Sequence, residues 1–152
     1  MKQWLCQLGV VALFLIAVQP VRASSPTIAG EISGIELCPE IACGAAIFNG
    51  TFQGTVGNKP TPGFFWVAAQ HEALPAAGNS SPIFGGKWSL STFWGKFGGT
   101  VLGGSIFNNG NNTFNVSVTL ELKSGGTGQL LGAVVLDHND FPPTVEGKLS
   151  QP

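Results

Sequence analysis

Gly50-Thr51-Phe52-Gln53-Gly54-Thr55-Val56 returns, as G-x-F-x-G-T-V, in Gly95-Lys96-Phe97-Gly98-Gly99-Thr100-Val101. Successive side chains of an extended chain point to opposite sides. Phe48, Gly50, Phe52, Gly54 and Val56 therefore share one face of the first stretch, and Phe97, Gly99, Val101 and Gly103 share one face of the second. Bulky residues and glycines alternate on a single side. Glycine at such positions lets a strand bend sharply and leaves room for a large neighbour across a narrow interior, which a small closed β-barrel requires.

Working outward, other segments alternate with the same period. Val116, Val118, Leu120 and Leu122 oppose Asn115, Ser117, Thr119 and Glu121, and Val145, Gly147 and Leu149 oppose Thr144, Glu146 and Lys148. This is the pattern of half-buried strands. Helix is disfavoured throughout, because each of the recurring glycines costs a helix interior about 1 kcal/mol relative to alanine. Eight strands are predicted at 27–37, 45–56, 63–71, 83–92, 95–106, 114–122, 127–137 and 144–150. Turns are marked by Asn58-Lys59-Pro60-Thr61-Pro62, Asn108-Asn109-Gly110-Asn111-Asn112 and Ser124-Gly125-Gly126. Short connections favour antiparallel neighbours.

A second echo sets Pro26-Thr27-Ile28-Ala29-Gly30-Glu31-Ile32-Ser33 against Pro143-Thr144-Val145-Glu146-Gly147-Lys148-Leu149-Ser150. If these first and last strands lie side by side, they close the sheet and remove both exposed edges. The expected fold is an all-β, closed or nearly closed antiparallel barrel of about eight strands. A two-sheet β-sandwich is the alternative, and a parallel solenoid fits less well, since no fixed period continues through three repeats.

The amino terminus reads as an address. Met1 and Lys2 precede the apolar run Leu8 to Val18, Pro20 breaks it, and Val21-Arg22-Ala23 offers a cleavage site. Residues 1–23 are expected to be a secretory signal peptide, leaving 24–152 as a single domain that is secreted or periplasmic and has no membrane span. Of seven basic residues Lys2 and Arg22 leave, while all eight acidic ones stay, so the net charge moves from −1 to −3. No basic surface for nucleic acid can be assembled from what remains. Cys6 departs with the signal, and Cys38 and Cys43, in C-P-E-I-A-C, are expected to pair as a disulfide in an exported protein. A metal site is not expected, because four ligands are usual and no other cysteine remains.

In an up-and-down order the odd-numbered strands all finish at one rim. That rim collects the Cys38–Cys43 loop, the stretch His71 to Pro82, the Asn108–Asn112 loop and Asp137-His138-Asn139-Asp140-Phe141-Pro142-Pro143. The opposite rim has short turns. A binding surface belongs on the loop-rich end. Both histidines, His71 and His138, fall there, and Asp137 beside His138 offers an acid to orient an imidazole acting as general base. The third and seventh strands lie across a barrel from each other, which argues against one shared site. Asp137, Asn139 and Asp140 lack the glycine and distal glutamate of a calcium loop, so a structural turn is the favoured reading there. No G-x-S-x-G, H-E-x-x-H or complete phosphate-binding loop occurs. The strands show few polar residues expected to point inward. Aromatics form two clusters, Phe64-Phe65-Trp66 and Trp88 with Phe93, Trp94 and Phe97. Trp66 and Trp88 are expected in the core and Trp94 at the surface. Four Asn-x-Ser/Thr sequons, at Asn49, Asn79, Asn111 and Asn115, have meaning only in a eukaryotic secretory pathway.

The favoured function is an exported, non-catalytic binding or surface protein without cofactor, its ligand a glycan, a small apolar molecule or a protein. Candidate ligand-binding residues are Trp94, Phe93, Phe141, Asn109 and Asn111. The alternatives are a small barrel enzyme of isomerase or cyclase type using His71 or His138, and a structural component of an envelope or matrix.

Overall fold

The structure, a computed structural model, describes residues 25–38 and 45–152. Eight strands, β1 (Ile28–Cys38), β2 (Ala46–Val56), β3 (Lys59–His71), β4 (Ser80–Thr92), β5 (Gly95–Asn108), β6 (Thr113–Ser124), β7 (Gly128–Asp137) and β8 (Thr144–Ser150), follow one another antiparallel around a closed barrel. There is no helix among the described residues. The two echoing segments meet as expected: β1 pairs with β8 from Ala29 opposite Ser150 to Ile35 opposite Thr144, and this pairing closes the wall. Closure satisfies the edge groups of both strands and rules out the sandwich. The expected signal segment and Cys43 lie outside the described residues.

Glycine makes the first corner possible. In the β1–β2 pair Gly30 stands opposite Gly54 and Gly34 opposite Gly50. A Cβ placed on Gly50 would lie 2.7 Å from the Gly34 Cα and would run into the Ser33 carbonyl oxygen. Only two facing glycines permit so close an approach, and Phe52 between them is completely buried in the space they leave. The G-x-F-x-G-T-V phrase therefore does in β2 what its pattern suggests. In β5 the phrase is displaced: the register shifts between Val101 and Gly103, Leu102 is pushed outward, and Gly104, opposite the inward Val118, takes the inner position expected of Gly103. One extra residue in a bulge reverses the facing of everything beyond it.

Two further expectations are corrected. β3 begins at Lys59, four residues early, and takes in Pro60 and Pro62, which stand opposite Thr55 and Gln53 of β2. On the other side the β3–β4 ladder begins only at Gly63, so neither proline needs to donate there. The true turn is Gly57-Asn58, with Gly57 at φ 62°, as a two-residue hairpin with glycine first demands. Trp66 is not core. Phe65 and Val67 point inward, so the residue between them faces out and is 36% exposed. Trp88 is buried as expected, its indole N–H donating to the Glu121 carbonyl at 2.9 Å.

The interior is not uniform. Ile28, Phe52, Leu90, Leu120, Leu130 and Leu149 are the largest fully buried side chains, and most of them fill the half nearest the short Gly57-Asn58, Phe93-Trp94 and Gly125–Thr127 turns. Each such side chain contributes about 1.5–3 kcal/mol by leaving water. The other half, under the long loops, is hollow.

Candidate functional site

A cavity of about 310 Å³ occupies the loop-rich end of the barrel. Every strand contributes to its wall: Ile32, Phe48, Phe65, Val67, Ile83, Ile106, Val116, Val118, Val134 and Val145 surround it, and Leu120 and Leu149 form its floor. The wall is apolar because these are the inward members of the alternating strands. Its volume lies at the lower end of the range for small-molecule pockets. Among the described residues three ionisable side chains line it, Glu36, His71 and His138, and all three stand at the mouth, on the last residues of β1 and β3 and just beyond β7.

Glu36 and His138 form a pair, with His138 Nε2 and Glu36 Oε2 3.0 Å apart. The fold brings them together through the closing strands. β8 runs out at Thr144, opposite Ile35, and the Glu36 N–H continues the ladder by donating to the Pro143 carbonyl at 2.8 Å. This holds the 138–143 loop against β1, while the His138 N–H donates to the Asn112 carbonyl at 2.9 Å and fixes the loop's start. On its other side Glu36 is opposite Phe48, and the β1–β2 register slips just after it, throwing Leu37 outward and leaving Glu36 inward and only 7% exposed. The Phe114 ring packs on the His138 imidazole with centroids 5.1 Å apart.

His71 is buried on the opposite wall, and its Nδ1 donates to the carbonyl of Glu72. His71 continues the inward alternation of Phe65, Val67 and Ala69, and an extra β4 residue, Phe84, keeps Ile83 opposite it. The two histidines thus line one cavity although they sit on distant strands, yet among the described residues no three His, Cys, Asp or Glu side chains are grouped so as to hold a metal ion.

The remaining sequence candidates lie elsewhere. Asp137 faces outward and its Oδ1 accepts from both the Asn139 N–H and the Asn139 side-chain amide at 2.8 Å, so it shapes the turn and leaves orientation of His138 to Glu36. Asn109 and Asn111 are at the mouth end, but their side chains are engaged. Asn109 bonds Thr113 and Asn115, and Asn111 accepts from the Thr113 hydroxyl at 2.6 Å. Phe141, in the 138–143 loop, is fully exposed. Phe93 and Trp94 form the β4–β5 turn at the opposite, sewn end. Phe93 is 86% exposed and stacks edge-on against Trp94, over which the Lys59 ammonium sits at 4.1 Å. Cys38 closes β1, and its expected partner is outside the described residues.

Glu36 is the cavity-mouth residue that the sequence reading did not single out, and a signal for it existed. Ile28, Gly30, Ile32 and Gly34 set an inward face on alternate residues, and Glu36 is its next member. No protein-family model, no curated protein and no solved structure matches this chain.

Proposed function

We propose that this protein is an exported, non-catalytic binder of a small, predominantly apolar molecule held in the loop-rich end of the barrel. The observation that carries the reading is the distribution of polarity in the cavity: apolar walls and floor, with the ionisable groups of the described residues at the mouth. A site of that kind is concave, dry within and equipped with a few polar groups that orient the guest. Its volume corresponds to about ten waters at roughly 30 Å³ each, which suits a compact guest of about that many non-hydrogen atoms. On β6 and β8 the outer wall is polar, while Phe64, Phe84, Leu102, Leu131 and Val135 are exposed on other strands. Asn115, Ser117, Thr119, Glu121 and Lys123 of β6 and Glu146 and Lys148 of β8 face outward, where a membrane barrel carries a continuous apolar band.

The test is titration with an uncharged naphthalene dye that brightens in apolar surroundings. Saturable binding is expected in the native protein. It is expected to be lost in Val134→Trp, which places an indole in the cavity, and to be unchanged in Trp94→Ala at the far end. Binding that survives the first substitution and fails with the second would move the site to the sewn end.

The Glu36–His138 contact favours one second reading, an acid–base enzyme of isomerase or cyclase type. A carboxylate-held imidazole beside an apolar guest could move a proton between two of its carbons without a cofactor. Turnover lost in His138→Ala, with dye binding retained, is the result that would promote this reading over simple binding.

A further inference from the structure

We infer that the guest carries a cationic head: the cavity is built to receive a small apolar amine, with its ammonium group against the Glu36 carboxylate. This rests on the reading of the cavity as a ligand site and specifies the chemistry of its mouth.

Two observations point the same way. The first is charge. Among the described residues all five lysines are remote from the cavity. Lys59, Lys96 and Lys123 lie at the sewn end, and Lys87 and Lys148 face outward from mid-wall. At the mouth the carboxylate of Glu36 stands 7% exposed, facing the cavity with an imidazole as its partner. When that imidazole is neutral, the pair retains a full negative charge in a poorly solvated place, and an incoming cation relieves it. A guest with a carboxylate head would instead add a second negative charge within a few ångströms of the first, where like charges are costly.

The second observation is the ring beside it. Phe48 lines the cavity and is the cross-strand partner of Glu36, so an aromatic side chain and a carboxylate stand together on the same wall. Ammonium groups are held by such pairs, the carboxylate taking the N–H bonds and the ring quadrupole facing the cation.

The experiment is competition for the naphthalene dye by three compounds with the same chain and different heads: octylamine, octanol and octanoate. Histidine changes charge between about pH 5 and 8, and among the described residues Glu36, His71 and His138 are the titratable groups facing the cavity. The series is therefore run just above that window. Octylamine is expected to displace the dye at a concentration about tenfold below octanol, with octanoate weakest. In Glu36→Gln, which keeps a hydrogen-bonding group for His138, the amine's advantage is expected to vanish while octanol is unaffected. Octanol or octanoate displacing the dye as well as the amine would overturn the cationic head and leave the cavity reading standing. An undiminished amine preference in Glu36→Gln would overturn Glu36 as its receiver. Failure of all three to displace a dye shown to occupy the cavity would overturn the inference, whereas failure of the dye itself to bind would overturn the reading beneath it. The native series decides the head chemistry even if the variant does not fold.

Discussion

The two ends of this barrel are built from the same alternating strands and put to opposite uses. At the sewn end, turns of two or three residues draw the strands together, and Phe52, Leu90 and Leu130 fill the interior completely. At the loop end, connections such as residues 72–79 and 138–143 let the wall stay open, the inward residues include five valines and three alanines, and a cavity remains. Packing density and function compete for the same interior. A protein of this size contains room for one well-filled core, and here that core is concentrated in half of the barrel so that the other half can stay hollow.

The largest expected effect tests that division. Phe52→Ala empties a fully enclosed space between glycines that cannot collapse into it, and about 3–5 kcal/mol of stability is expected to go. Val118→Ala, on the cavity wall, removes methyl groups that already face a void, so little further packing is lost and about 1 kcal/mol is expected. Urea unfolding midpoints at unchanged m-value measure both. Equal losses would mean that the loop end is as densely packed as the sewn end, and the comparison would fail.

A smaller effect joins the two halves. Gly50→Ala puts a Cβ 2.7 Å from the Gly34 Cα, and β1 has to shift to admit it. Overpacking of this kind costs about 1–3 kcal/mol. Gly34 is two residues before Glu36, and Gly50 is two residues after Phe48, so the displaced backbone is the one that carries the mouth pair. Loss of dye affinity together with stability is the expected outcome in Gly50→Ala. Stability loss with native affinity would show that the mouth is positioned by the 138–143 loop alone.

The same residues explain what could be read in advance. The barrel was legible because closure leaves local marks: glycine–aromatic alternation in β2, and matching phrases in two strands that pair with each other. The places where the reading slipped are places where one residue changes parity. The Leu102 bulge moved the inner glycine from 103 to 104, and the alternation that turns Phe65 inward turns Trp66 outward. The site was half legible. Both histidines could be assigned to the loop-rich rim from strand count alone, but the carboxylate that meets His138 lies 102 residues away. Asp137, adjacent in sequence, points out of the barrel because neighbours on a strand face opposite ways. Nearness along the chain suggested the wrong acid, and the β1–β8 closure supplied the right one.

The smallest expected effect separates the acidic residues of the two regions. On the outer wall above the packed half, Glu121 Oε2 accepts from Lys123 at 2.9 Å and from the Thr100 hydroxyl at 2.7 Å. These bonds, Lys123 first, hold its carboxyl below the ordinary value of 4.5. Because the folded form keeps this group ionised where the unfolded chain would already protonate it, its contribution is complete above that ordinary value. It is lost as the pH falls through the lower, folded value. Exposed pairs are screened and weak, so Glu121→Gln is expected to lower the urea midpoint only slightly at neutral pH. The difference from the native protein is expected to shrink as the pH falls below 4.5 and to close once the folded carboxyl is protonated as well. A difference that persists in acid would show that the glutamine disturbs packing over Trp88, whose indole is bonded to the Glu121 backbone. No difference at any pH would show that these two side-chain bonds contribute nothing measurable to the stability of the barrel.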